Sequence, residues 1–329
     1  MILSGETSKS VPNGTKWKQG VLDKDRDVGI NCIYNANGIW VIGSDSGRNN
    51  NSLYYSMDGK TWTRSNINNN SFSSVYNADG IWVAGSTFGT NGNEGFYYST
   101  DGMTWTQSNI TTGSSPSIYN ANGTWVAASN SNKGLYYSTD GKTWTQSNIT
   151  SGEFITVYNA NGTWVAGSND NDGLYYSTDG KTWTQSNRTY YDFPSIYNAS
   201  GIWIAVESGN GLCYSTNGRT WQIVINGYFS SVYNANGIWV AGSGSEGLYY
   251  STDGQTWTQS NITSGSFYDI YNANGIWVAC GNKGLYYSTN GKTWIQSNIT
   301  SETLTKIYHA NNLWIAGYRY LDGIYYSES

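Results

Sequence analysis

The residues best suited to ligand chemistry are three arginines, Arg26, Arg48 and Arg319, the last of which stands between Tyr318 and Tyr320. An arginine presents a planar fork of donors that matches a carboxylate or a phosphate. If the fold brings the two chain ends together, these residues predict a site for an anionic ligand such as a carboxylated sugar. The competing interpretation is that the arginines form salt bridges with nearby carboxylates, which are Asp23, Asp25, Asp27, Asp45 and Asp322.

A second group of candidates combines tyrosines and aspartates in connecting segments. Tyrosine rings offer stacking faces, and carboxylates accept hydrogen bonds from hydroxyl groups, which together favour a glycan. The alternative interpretation is that these are solvent-exposed loops whose sequence drifts without a function. The residues are Tyr190, Tyr191, Asp192, Tyr228, Tyr268 and Asp269.

Other chemistries lack the residues they need. His309 is the single histidine, stands where other repeats carry a turn asparagine, and has no partner for a zinc site or a catalytic triad. The three cysteines, Cys32, Cys213 and Cys280, lie within strand patterns and are interpreted as small buried thiols rather than a disulfide or metal framework. We therefore expect no metal, no cofactor and no enzymatic activity.

Charge and hydropathy limit the partners. Only 12% of the residues are charged, the net charge is -5, and no cluster of lysine and arginine occurs, so nucleic-acid binding is not expected. The chain lacks both a long apolar run for membrane insertion and the start of a classical signal peptide. A glycan or a surface protein remains as the expected partner.

The elements that position these residues follow from sixteen tryptophans, which form two interleaved series of eight. Their spacing defines a repeat of about 39 residues that fills the chain, a period typical of toroidal or solenoid arrays. The first series is Trp40, Trp82, Trp125, Trp164, Trp203, Trp239, Trp277 and Trp314; the second is Trp17, Trp62, Trp105, Trp144, Trp183, Trp221, Trp257 and Trp294.

Each repeat predicts four short antiparallel strands, here called a to d. In the fourth repeat these cover residues 155–160, 163–168, 173–178 and 182–186, and Asn161 with Gly162 supplies a two-residue hairpin between a and b. Eight such sheets predict an all-β, eight-bladed β-propeller. Residues 13–17 resemble strand d of the other repeats, so the N-terminal strand is expected to complete the C-terminal blade. The predicted organisation is a single domain over residues 12–329 and an arm over 1–11.

The variation in loop length is confined to two of the four connections. Strand a leads to strand b at constant spacing, as from Tyr34 to Trp40, and strand c leads to strand d equally regularly, as from Tyr54 to Trp62. The b–c and d–a connections differ in length between repeats, and in an up-and-down sheet they share one edge. All variation therefore falls on one face of the disc, the variable face, which is the expected binding surface; the opposite face is the uniform face.

Residues 138–144, STDGKTW, and their counterparts resemble the motif Ser-x-Asp-x-Gly-x-Thr-Trp of the Asp-box family, also called bacterial neuraminidase repeats, with a turn one residue shorter. The resemblance implies a sialidase-type propeller in which the box is structural. The side chain at the Asp position can accept backbone N–H bonds within the turn. These positions are Asp58, Asp101, Asp140, Asp179, Asn217, Asp253 and Asn290.

Three hypotheses about function follow from the sequence. The first is a non-catalytic, lectin-like propeller that binds glycans or a cell-surface ligand through its variable loops. The second is a structural or receptor-binding component of a phage or other surface assembly, attached to other subunits through residues 1–11. The third is a sialidase-like hydrolase, although the inserted loops that carry the catalytic residues of that family are missing. The sequence does not determine the location of the protein, and an extracellular, cell-surface or virion-associated location is expected.

Overall fold

In a computed structural model, the structure describes residues 14–22, 29–44, 52–68, 70–89, 94–318 and 323–328. These residues form eight sheets arranged as an eight-bladed β-propeller, as predicted. They contain no helix, and hence none long and apolar enough to cross a membrane. The arm predicted over residues 1–11 lies outside the described residues, and the single domain over 12–329 remains a prediction.

Within each blade the strands follow one another from the inner edge outwards, in the order a, b, c, d. Blades one to four comprise β3 (Ile30–Ala36), β4 (Ile39–Ser44), β5 (Leu53–Ser56) and β6 (Thr61–Arg64); β7 (Asn70–Ala78), β8 (Ile81–Gly89), β9 (Phe96–Ser99) and β10 (Thr106–Gln107); β11 (Ser117–Ala121), β12 (Thr124–Ala128), β13 (Leu135–Ser138) and β14 (Thr145–Gln146); β15 (Phe154–Ala160), β16 (Thr163–Ser168), β17 (Leu174–Ser177) and β18 (Thr184–Gln185).

Blades five to eight repeat this order, except that the outermost strand of blade eight precedes all the others in the chain. They comprise β19 (Ser195–Ala199), β20 (Ile202–Glu207), β21 (Gly211–Ser215) and β22 (Gln222–Asn226); β23 (Phe229–Ala235), β24 (Ile238–Ser243), β25 (Leu248–Ser251) and β26 (Thr258–Gln259); β27 (Phe267–Ala273), β28 (Ile276–Gly281), β29 (Gly284–Ser288) and β30 (Ile295–Gln296); β31 (Leu304–Ala310), β32 (Leu313–Tyr318), β33 (Ile324–Glu328) and β1 (Lys18–Gln19).

The a–b hairpins have the backbone geometry that their sequence predicts. In blade four Asn161 has φ 52° and Gly162 has φ 78°, so both residues of the turn are left-handed, as a type I′ hairpin requires. In blade eight Asn311 and Asn312 take the same conformation without a glycine, with φ 49° and 58°. The right-handed twist of the two strands is thereby preserved on the uniform face.

Aromatic side chains join each blade to the next around the ring. The strand-a tyrosine of one blade meets the strand-b tryptophan of the following blade edge to face, as Tyr119 meets Trp164 at 6.2 Å between ring centroids. The last contact of this series is Tyr308 to Trp40, also at 6.2 Å, which closes the circle from blade eight to blade one. Such pairs contribute about 0.5–1.5 kcal/mol each beyond the apolar area they bury.

Asparagine clips add a second interblade contact, which the sequence analysis did not predict. The clip is an asparagine after strand d whose amide Oδ1 accepts the backbone N–H of the next blade's strand-d tryptophan and whose Nδ2 donates to the same residue's carbonyl. The pairs are Asn66–Trp105, Asn109–Trp144, Asn148–Trp183, Asn187–Trp221, Asn261–Trp294 and Asn298–Trp17. Between blades five and six, Ile225 of β22 takes the clip position and cannot form these bonds.

The N-terminal strand closes the ring as predicted. β1 pairs antiparallel with β33, with Lys18 opposite Tyr326, and the Gly14 N–H donates to Ser327 Oγ at 3.0 Å. Trp17 is buried like the other strand-d tryptophans. A further strand, β2 (Val21–Leu22), was not predicted; it pairs parallel with β6 of blade one, and the Val21 N–H donates to Lys60 O at 2.8 Å. The segment therefore fastens blade eight to blade one.

The cysteines and the phenylalanines that precede strand a are buried, and the single histidine lies in a strand. The three cysteines are free and buried, as expected, and burial raises the pKa of Cys32 to about 12. The recurring phenylalanines before strand a are core residues: Phe72, Phe154, Phe193, Phe229 and Phe267. His309 is not a turn residue, because it lies within β31 and its ring packs against Trp314 at 4.9 Å.

Candidate ligand-binding face

The variable face carries an arc of exposed tyrosines over three consecutive blades. Tyr190 and Tyr191 lie in the connection that enters blade five, Tyr228 lies in the one that enters blade six, and Tyr268 is the second residue of β27 in blade seven. Tyr190 is 69% exposed and Tyr228 is 66% exposed, values that are unusual for large aromatic side chains in this otherwise buried set. We call these four residues the tyrosine arc.

Hydrogen bonds hold the connections beneath the arc on both sides. The carbonyl of Asp192 accepts the Ser208 N–H at 2.9 Å, and its Oδ1 accepts the Asn171 N–H at 3.2 Å, so this loop spans the b–c turns of blades four and five. The Tyr228 carbonyl likewise accepts the Gly244 N–H of blade six at 2.7 Å. Because the backbone is fixed in this way, the exposed rings project from a rigid support.

A buried ionic cluster, which was not predicted from the sequence, lies under the same sector. Glu207 is fully buried at the end of β20, and the Arg188 guanidinium forms a bidentate ion pair with its carboxylate. Cys213 Sγ and Asn210 Nδ2 donate to the same carboxylate, at 2.8 and 2.5 Å. Every charge in the cluster has a partner, which a buried ion pair requires to be tolerated.

A signal for this cluster exists in the sequence. Arg188 takes the place of an isoleucine in the segment that reads NIT in four other repeats, and Glu207 takes the place of a serine. The serines at that position are Ser44, Ser86, Ser129, Ser168 and Ser243. Two matched departures from a near-identical repeat, one basic and one acidic, indicate a contact between them.

The second feature of the variable face is a cavity of about 320 Å³ in the central channel. Strand-a tyrosines form a continuous ring around the channel, with neighbouring centroids between 4.7 Å for Tyr197–Tyr233 and 5.6 Å for Tyr34–Tyr308. Burial, and then the neighbouring tyrosines, raise the pKa of Tyr76, Tyr158 and Tyr233, so these three hydroxyl groups are neutral at physiological pH. The other lining residues precede the tyrosines in strand a, so the cavity lies toward the variable face.

The structure corrects the positions of three predicted site residues. Tyr268 and Asp269 belong to β27 rather than to a loop, and Asp269 lines the channel cavity. Tyr318, predicted in the b–c loop of blade eight, ends β32, is only 7% exposed, and bonds through its hydroxyl to the Tyr325 hydroxyl at 2.9 Å. The strands begin earlier or end later than predicted because the residues at their ends are buried between blades. Arg26, Arg48, Arg319 and Tyr320 lie outside the described residues, as do the aspartates proposed to pair with them.

The c–d turns on the uniform face share one hydrogen-bond pattern. In blade six Asp253 Oδ1 accepts the N–H groups of Gln255 and Thr256, at 2.8 and 2.7 Å, and the Ser251 hydroxyl at 3.0 Å. The N–H groups of Thr256 and Gln255 lower the pKa of Asp253 from 3.8 to about 2. In blade seven Asn290 Oδ1 accepts the corresponding bonds from Lys292 and Thr293. The side chain at this position therefore stabilises the turn through hydrogen bonds within the turn itself.

In the described part of the chain, no three histidine, cysteine, aspartate or glutamate side chains converge in a way that could hold a metal ion.

Comparisons with known proteins relate the chain to propellers by structure and not by sequence. No protein-family model and no curated protein matches the sequence. The computationally designed Ika8 protein superposes with a TM-score of 0.71 at 10% identity, covering 95% of this chain and 100% of the other. YCF48 bound to D1 peptide superposes with a TM-score of 0.60 at 17% identity, covering 96% and 95%.

An enzyme is also among the similar structures. The GH74 enzyme of Niastella koreensis has a TM-score of 0.56 at 19% identity, and the match covers 89% of this chain but only 48% of the enzyme. At such identities the likeness concerns the fold alone. The chain is therefore a β-propeller whose structural relatives include both binding proteins and an enzyme.

Proposed function

We propose that this propeller is a non-catalytic recognition module that binds a glycan through the tyrosine arc. The observation that carries the proposal is the exposure of four tyrosines on three consecutive blades of one face. A group of large exposed aromatic side chains on one face is typical of an interaction surface, and flat rings are suited to stacking against the apolar face of a sugar.

The polar surroundings of the arc favour a glycan over a purely apolar partner. Asp192 lies next to Tyr191 and retains acceptor capacity beyond the Asn171 bond, because a carboxylate offers about four lone-pair sites. The b–c turns beneath the rings consist largely of Ser, Asn, Gly and Asp. Such groups exchange hydrogen bonds with sugar hydroxyls while the rings supply apolar contact.

A glycan array followed by calorimetry tests the proposal. The double variant Tyr190→Ser with Tyr228→Ser removes the two most exposed rings of the arc, and we expect each lost ring to weaken binding by roughly three- to tenfold. Met57→Ser is the matched control, because Met57 is 67% exposed but lies beside the c–d turn of blade one on the uniform face. An array without hits, or binding that the double variant leaves intact, would contradict a glycan-binding arc.

A protein segment is the second candidate, favoured by the likeness to YCF48 bound to D1 peptide over almost the full length of both chains. A peptide display selection against the intact chain tests it. If no glycan competes with the selected peptides, and the peptides bind the same double tyrosine variant more weakly, then the arc binds a peptide instead of a glycan. Selected peptides indifferent to both tyrosines would count against this alternative.

Two further expectations from the sequence can be tested beside this proposal. The c–d turns are proposed as Asp-boxes of a non-catalytic family member, so a fluorogenic sialoside should not be hydrolysed. Attachment to a larger surface particle through residues 1–11 is a separate proposal. Deleting these residues should abolish assembly with no change in melting temperature, and unimpaired assembly would refute it.

A further inference from the structure

The channel cavity contains two charged residues that set it apart from the other inner strands. In each repeat one side chain stands two positions before the strand-a tyrosine, at the same layer of the channel wall. In six repeats this side chain is small: Cys32, Ser74, Ser117, Thr156, Ser195 and Ser231. In blades seven and eight it is Asp269 and Lys306. Adjacent blades thus carry opposite charges where the repeat otherwise has a small, uncharged residue.

These two charges do not neutralise one another directly. Both residues are half-buried and line the cavity, yet no salt bridge joins them, whereas the other acid–base departure from the repeat, Arg188 with Glu207, forms a bidentate pair. Taking a charge out of water without a partner costs free energy. A pair with only a structural role would be expected to close, as the pair in blade five does.

The Asp269 carboxylate is held in a fixed orientation. Its Oδ1 accepts the Ile270 N–H at 3.0 Å, and its Oδ2 accepts the Ile307 N–H of blade eight at 3.1 Å. Each oxygen retains further acceptor capacity for a ligand. Burial raises the pKa of this carboxyl, and the positive charge of the nearby Lys306 offsets part of the rise. A second cation bound here would lower the pKa further and thus favour the ionised form.

The rest of the cavity matches a small ligand. Its volume of about 320 Å³ corresponds to roughly ten water molecules at about 30 Å³ each. Tyr233, Tyr271 and Tyr308 contribute aromatic rings beneath the two charges. Such rings attract an organic ammonium group through their π-faces.

We propose that this cavity is a binding site for a small zwitterion, a molecule of amino-acid size whose carboxylate pairs with Lys306 and whose ammonium group pairs with Asp269. A neutral sugar would leave the Lys306 charge without a counterpart, and a simple anion would leave Asp269 without one. The site is separate from the tyrosine arc, and its occupant neutralises both buried charges at once.

Calorimetry and ligand-observed NMR with the free amino acids test the site. For the amino acid that binds best, the methyl ester keeps only the ammonium charge and the N-acetyl derivative keeps only the carboxylate. We expect both derivatives to bind more than roughly 30-fold more weakly, the lower end of the effect of breaking a buried charge pair. Binding of either derivative as tightly as the parent would overturn the proposal, as would the absence of binding by every free amino acid.

The repeats themselves supply variants that are compatible with the fold. Asp269→Ser and Lys306→Ser each introduce the residue that four other repeats carry at this layer, and each should abolish binding of the amino acid. Ser195→Ala is the matched control, since Ser195 occupies the same layer in blade five but does not line the cavity. Retained binding in both serine variants would exclude the site. Because the tyrosine-arc variants should leave amino-acid binding unchanged, failure of this proposal is distinguishable from failure of glycan binding.

Discussion

In the c–d turn of blade six, the contribution of a hydrogen-bond acceptor to stability can be separated from the contribution of its negative charge. Asp253→Ala removes an acceptor of three hydrogen bonds, from Gln255, Thr256 and Ser251. At about 0.5–1.5 kcal/mol per bond, and with the freed N–H groups open to water, the unfolding free energy should fall by about 1–3 kcal/mol. Asp253→Asn keeps Oδ1 as the acceptor, as Asn290 does in blade seven. It should therefore cost less than about 1 kcal/mol at pH 7.

Acid distinguishes the wild-type turn from the turn of Asp253→Asn. The folded pKa of Asp253, about 2, lies below its ordinary value of 3.8, so the stabilisation by the charged form is complete above that value and is lost as the pH falls through 2. Solvent screening of this exposed carboxylate reduces the charge-specific part to about 1 kcal/mol. Between pH 4 and pH 2 the wild-type chain should lose that much more stability than Asp253→Asn.

Urea denaturation followed by tryptophan fluorescence at pH 7, 4 and 2 measures both effects. Comparable destabilisation by asparagine and alanine at pH 7 would show that the acceptor geometry is not what stabilises the turn. An identical acid dependence in the wild-type chain and Asp253→Asn would show that the ionised carboxylate makes no contribution of its own.

Three further predictions concern contacts between and within blades. Asn148→Ala should lower the unfolding free energy by about 1–3 kcal/mol through the loss of both clip bonds, while Thr150→Ala, an exposed neighbour, should change it by less than about 0.5 kcal/mol, as measured by urea denaturation; equal effects would refute the clip. Glu207→Ser alone should cost about 3–5 kcal/mol because Arg188 is left unpaired, and adding Arg188→Ile, which restores the residues of other repeats, should recover most of the loss in the same assay; no recovery would contradict the assigned pairing. Trp144→Ala should cost about 3–5 kcal/mol, and an unchanged melting temperature would contradict its place in the core.

The fold was predictable because the same local sequence pattern recurs in every repeat. Asn161 with Gly162 encodes a hairpin, and the constant spacing from Tyr34 to Trp40 fixes which strands are neighbours. Residues 13–17 reproduce a strand-d pattern that the C-terminal repeat lacks, so ring closure also followed from the sequence. Each of these signals is local in the sequence, and tertiary packing does not override the conformation that it encodes.

The candidate site was less predictable because it depends on exceptions to the repeat. Arg188 and Glu207 lie in different blades, and only a comparison of each position across all repeats would have paired them. The clip asparagines could not be recognised as interblade contacts from the sequence, since their partners lie about a full repeat away. Asp269 was predicted to lie in a loop. It lies in β27 instead, because Phe267, a buried residue two positions earlier, extends this strand toward the variable face.

The composition of blade eight has a consequence for biosynthesis. β1 leaves the ribosome before every other strand of its sheet, and β33, its partner, is translated after all seven remaining blades. During translation Trp17 therefore stays exposed, and the nascent chain also exposes the sheet edges of an incomplete ring of blades. Closure requires an encounter between segments as far apart in sequence as Gly14 and Ser327, which are separated by 313 positions, so we expect this encounter, rather than formation of any single blade, to limit the rate of maturation.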